Sequence, residues 1–156
     1  MEKRIVDPAL QPFHKKAAVD LFNEVWTLME KNDRTVEETD RMIHAAHASR
    51  FHWGEVGTPV HLARGEWQVS RVYAILGRAE PSLYHARRCL DLCERHAIGD
   101  FDLAYAYEAL ARAHAVGGDQ EEALRCRALA VDAGQRITDE EDRKLLQSDI
   151  ETVPVR

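Results

Sequence analysis

Apolar positions in the first third of the chain recur at helical spacing. Val19, Phe22, Val25, Trp26 and Met29 fall mostly three residues apart, which is the stripe of an amphipathic helix. Trp26 lies on that stripe and is therefore expected in the core. Asp7-Pro8 reads as a cap followed by proline at the first helical position, but Pro12 moves the expected start towards Phe13. Asn32-Asp33-Arg34 breaks this helix. Thr35-Val36-Glu37-Glu38 is a capping box that opens a second one, expected to reach about Phe51 or Trp53 and to stop near Gly54 and Gly57.

The same signals recur downstream. Thr58-Pro59 opens a third helix that Gly77 ends. A fourth starts near Glu80-Pro81 and is closed by Gly99. Asp100 caps a fifth, which ends at Gly117-Gly118. Asp119 with Glu122 opens a sixth that ends near Gly134, and Thr138-Asp139-Glu140-Glu141 reads as a box opening a last helix through Ile150. No period-two alternation bounded by turn residues is present, so no strand is expected. The fold class is all-α: seven helices in one domain, with short connections that force neighbours to run antiparallel.

Two stretches are similar to each other. The segment from about Glu66 to Cys93 matches that from about Tyr107 to Gly134 at an offset of 41 residues. Gly77 then superposes on Gly118, Ser82 on Ala123, Leu83 on Leu124 and Cys89 on Ala130. Gly77-Arg78-Ala79-Glu80-Pro81-Ser82-Leu83 and Gly118-Asp119-Gln120-Glu121-Glu122-Ala123-Leu124 resemble the Gly-Asx-aromatic-Glu-x-Ala-Leu pattern of tetratricopeptide repeats. Tyr107, Leu110 and Ala111 resemble that family's packing positions in the first helix of a repeat. The chain departs from the pattern in its longer spacing (the family repeats at ~34 residues), in Ser82 for alanine, and in Arg127 for an aromatic. The resemblance covers about half the chain. It implies helical hairpins over 59–97 and 100–136; the segment 13–53 lacks the glycine signature and is expected as a third hairpin from the helix count alone, with a capping helix over 138–151 closing the stack.

In such a stack, the first helix of each repeat lines a concave groove. The positions implied to face it are Arg64, Trp67 and Arg71 on the third helix and Tyr105, Glu108 and Arg112 on the fifth. Three arginines and two aromatics on one concavity imply an acidic ligand, a peptide segment or a chain terminus. The opposing reading has these arginines pair with neighbouring acids and merely solvate the face.

Composition narrows the function classes. The 156 residues carry a net charge of −6, which disfavours general nucleic-acid binding, because phosphate neutralisation needs a basic face. No apolar run approaches a bilayer span, and the start, Met1 to Pro8, has no signal-peptide core. Three cysteines, an odd number, suggest reduced thiols and a cytoplasmic location. Cys89 and Cys93 lie one turn apart and read as packing residues.

One cluster offers different chemistry. Asp40, His44 and His47 share a helix face, a spacing that lets a carboxylate and two imidazoles converge on a divalent transition metal, with His14, His52 or His61 as a further ligand. The alternative is that these histidines line a helix contact. Three functions follow: a non-enzymatic module that binds a protein, a peptide or a second copy of itself and needs no cofactor; a metal-binding protein or metal-dependent enzyme built on Asp40, His44 and His47; and a small-molecule sensor using the same groove.

Overall fold

The computed structural model describes residues 5–155, so the stretch Met1–Arg4, read above for a leader, lies outside them. A short 3-10 helix, Pro8–Leu10, leads into α1 (Gln11–Glu30). α2 (Val36–Val56), α3 (Pro59–Ile75), α4 (Ala79–Arg95), α5 (Asp100–Val116), α6 (Gln120–Gly134) and α7 (Glu140–Glu151) follow, and the described residues contain no strand. Among the described residues, no helix is long and apolar enough to cross a membrane.

Local chemistry explains most of the boundaries. The Thr35 hydroxyl accepts from Glu38 N while Glu38 returns a bond to Thr35 N, so two orphan amides of α2 are satisfied together. Asp119 caps α6 through Glu122 N. The cap of α7 is Asp139, accepting from Asp142 N, one residue later than the Thr138 box expected from the sequence. α1 begins at Gln11 rather than near Phe13, and α2 runs through Gly54 to Val56.

Gly77 and Gly118 have φ of +72° and +83°, the left-handed region where a side chain would be strained. Around each, the same pair of bonds ends the helix: Arg78 N to Tyr73 O and Gly77 N to Ala74 O, then Asp119 N to His114 O and Gly118 N to Ala115 O. These turns superpose at the offset of the sequence repeat. At the end of α4 the left-handed residue is Ala97, with φ of 51°, and not the expected Gly99.

Consecutive helices pack on each other, and α3 also touches α1 and α5, while α5 also touches α7. α3 and α5 thus each pack against four helices. The small residues of α5, Ala104, Ala106, Ala109, Ala111, Ala113 and Ala115, are all buried and let its neighbours approach closely. Leu110, Cys89, Cys93, Cys126, Ile137, Leu146 and Ile150 fill the main core around it. A second cluster, Val25, Leu28, Met42, Ala45, Val69 and Val72, joins α1 and α2 to α3. α7 lies so close to α6 that a Cβ on Gly134 would meet Leu146 Cδ2 at 2.5 Å.

Candidate functional site

A groove of about 460 Å³ opens between α1, α3, α5 and α7. Phe22 and Trp26 come from α1, Arg64 and Trp67 from α3, Phe101, Asp102 and Tyr105 from α5, and Asp142, Leu145 and Asp149 from α7. The rings form a continuous floor. Trp26 and Trp67 are 5.6 Å apart and tilted by 34°, Trp67 meets Tyr105 edge-on at 5.7 Å, and Tyr105 meets Phe101 at 4.6 Å.

Trp26 is therefore not a core residue. It is 38 % exposed, because Val25 and Leu28 take the inward face of α1 and leave Trp26 on its margin, over the groove. Sequence periodicity could not separate these neighbours, since one residue of rotation decides which is covered.

The six residues implied for the groove divide into two layers. Arg64, Trp67 and Tyr105 line it. Arg71, Glu108 and Arg112 form a charged network beneath it. Glu108 is fully buried and accepts from Arg71 at 3.0 Å, from Arg112 Nε at 2.8 Å and, more weakly, from Trp67 Nε1 at 3.4 Å. Trp67 and Glu108 are equivalent positions of the two similar segments, so the repeat brings them into contact.

α7 closes the network. Arg71 donates to Asp149 at 3.2 Å, and the Tyr105 hydroxyl donates to the same carboxylate at 2.6 Å. Burial, then the bond to Asp149, pushes the Tyr105 phenol far above its ordinary value. Arg112 donates to Asp149 O at 2.9 Å and to Thr152 Oγ1 at 2.7 Å, tying down the C-terminal end of α7. Arg64 forms a two-pronged pair with Asp102, at 2.8 and 3.2 Å. All three arginines thus have carboxylate partners within the chain.

The proposed metal face is arranged differently. Asp40, His44 and His47 are exposed on α2. His47 Nε2 hydrogen-bonds the Tyr73 hydroxyl at 2.8 Å, and its ring lies 5.4 Å from that of His85. Burial, then the nearby His85, holds the His47 imidazole below its ordinary value. His85 in turn donates to Glu66 at 2.6 Å, and Arg50 donates to the other oxygen of Glu66 at 3.2 Å. The other candidate ligands are also engaged: His14 bonds His52 at 2.8 Å, and His61 stacks on Trp53 at 4.1 Å.

Among the described residues, the His, Cys, Asp and Glu atoms that come within 4.8 Å of one another as a set of three are those of His114, Glu122 and Cys126. The sequence reading missed this set, whose members come from α5 and α6. Arg125 already donates to both oxygens of Glu122 and lies 3.9 Å from Cys126 Sγ, so a cation occupies the approach a metal would need. The three cysteines are free and buried.

No protein-family profile matches the chain, and no curated protein or solved structure matches it.

Proposed function

We propose that the chain is a non-enzymatic binding module of the tetratricopeptide-like kind, acting in the cytoplasm and receiving a peptide segment of a partner protein in the groove between α1, α3, α5 and α7. The observation that carries this reading is the aromatic floor. Trp26, Trp67, Phe101 and Tyr105 are held rigidly over a concavity, the arrangement in which a few anchors dominate binding. The duplicated Gly77 and Gly118 turns, and the contacts of α3 with α5 and α5 with α7, support the repeat-stack reading, in which α7 is the capping helix.

An acidic ligand would find fewer available arginines in the groove than α3 and α5 carry. Arg71 and Arg112, two of the three arginines implied for the groove, are engaged by Glu108, Asp149 and Thr152 beneath the floor. Recruiting them for a ligand would require breaking bonds inside the protein.

A peptide array probed with wild type, Trp26→Ala and Leu124→Ala tests the proposal. Leu124 is an exposed apolar residue of α6 that does not line the groove. Peptides captured by wild type are expected to bind Trp26→Ala at least about tenfold more weakly and Leu124→Ala unchanged. Equal binding by Trp26→Ala and wild type would remove the groove as the site, and self-association through it would show as a concentration-dependent mass that Trp26→Ala abolishes.

A further inference from the structure

Resting on the groove as the binding site, we infer that its occupant is a lysine side chain in an apolar stretch of a partner peptide, its ammonium placed among the carboxylates of α5 and α7 and its stem along the aromatic floor. Among the charged groups that line the groove, three are carboxylates, Asp102, Asp142 and Asp149, and one is a guanidinium, Arg64. That guanidinium is already held two-pronged by Asp102. Asp149 has two partners, Arg71 and the Tyr105 hydroxyl. Asp142, in the first turn of α7, is half-exposed; it makes no salt bridge among the described residues, and, second to Asp102, its charge helps hold the nearby Arg64 guanidinium protonated. An anion entering the groove would lose hydration beside three carboxylates and meet one guanidinium, two of whose nitrogens are already committed to Asp102. An ammonium gains a carboxylate with no salt bridge of its own, which otherwise acts only at longer range on Arg64.

The floor favours the same charge. Aromatic faces carry negative potential and attract cations. The protein already uses this property here: the Arg71 guanidinium lies 5.8 Å from the Trp67 ring centroid. Of the floor's rings, Trp26 is the exposed one, and its indole offers the same attraction to a cation from outside. A lysine stem lies flat on such a surface while its head stays at the polar rim, where Asp142 sits.

The test uses three capped peptides on the whole chain: acetyl-Leu-Lys-Leu-amide, the same peptide with acetyl-lysine, and acetyl-Leu-Glu-Leu-amide. Affinity is read from the tryptophan indole N–H signals by NMR titration. The lysine peptide is expected to bind about tenfold more tightly than the glutamate peptide, with the acetyl-lysine peptide between them. Asp142→Asn is expected to shrink the lysine-to-glutamate ratio at least about threefold while leaving the acetyl-lysine peptide unchanged. Equal affinities for the three peptides, or a preference for glutamate, overturn the charge inference and leave the groove as a binding site. Failure of all three peptides to perturb the indoles overturns both the inference and the groove reading.

Discussion

Replacing Glu108 by alanine probes the element on which the groove is built. Its carboxylate is fully buried and accepts from two guanidiniums, with Arg112 contributing both Nε and an NH2 group at 2.7 Å. Removing one partner of a buried ion pair costs about 3–5 kcal/mol, because the remaining charge is left desolvated. Here the survivors are not bare: Arg71 keeps Asp149, and Arg112 keeps the Asp149 and Thr152 carbonyls and the Thr152 hydroxyl. The expected loss is therefore about 3 kcal/mol, at the low end, out of a total stability that for a domain is about 5–15 kcal/mol. Urea unfolding followed by far-ultraviolet circular dichroism measures it. Glu108→Gln keeps the volume and one acceptor and is expected to lose about 1–2 kcal/mol, the size of a charge-assisted hydrogen bond. The double variant Glu108→Leu/Arg112→Met removes both charges together and is expected to cost less than the two single changes added, since the penalty lies in the orphaned partner. Because Arg112 holds the end of α7, amide exchange in 146–152 should accelerate in Glu108→Ala before the rest of the chain is affected. A loss below about 1 kcal/mol, typical of surface positions, would refute the reading of Glu108 as the centre of the network.

Two further outcomes follow from other parts of the fold. Burial, before any neighbouring charge, holds His47, His52 and His61 below their ordinary pKa. The unfolded chain therefore binds more protons than the folded one as pH falls below about 6.5, so stability present above that value is lost on acidification through it, before carboxylates titrate. The melting temperature should fall between about pH 7 and pH 5.5, less steeply in His47→Gln, and an unchanged melting temperature across that range would contradict the assignment. Ala97→Gly relieves a left-handed residue that ends α4 and is exposed, so no packing is lost. The relief of about 1–2 kcal/mol, less the added freedom of glycine in the unfolded chain, should raise stability by about 0.5–1 kcal/mol in urea, and a lower midpoint would show that the strain has been misjudged.

What was legible in the sequence was what neighbouring residues settle among themselves. The Thr35–Glu38 box, the Asp119 cap and the Gly77 and Gly118 turns involve partners within a few positions, and they fixed the order of the helices. Ala97 escaped because nothing local distinguishes an alanine forced into a left-handed turn from one in a helix. Trp26 escaped for a related reason: α2 and α3 cover only part of the apolar stripe of α1, and the rotation that buries Val25 leaves the adjacent indole at the edge.

The groove was half legible, and the missing half changes its chemistry. The register counted back from Gly77 and Gly118 brought Arg64, Trp67, Arg71, Tyr105, Glu108 and Arg112 to one region, and these residues do meet there. It could not say which would be reached by solvent. That is decided by α7, whose Asp149 lies 78 residues from Arg71 in the chain and yet bonds to it. Docking α7 does three things at once. It adds a second carboxylate, Asp149, to Arg71, it ties its own end to Arg112 through a carbonyl and a hydroxyl, and it adds Asp142 and Asp149 to the groove wall. A concavity that reads as basic from α3 and α5 alone thereby becomes an aromatic surface edged by carboxylates. If a lysine side chain is the occupant, as proposed, two of the three carboxylates that would meet it come from α7.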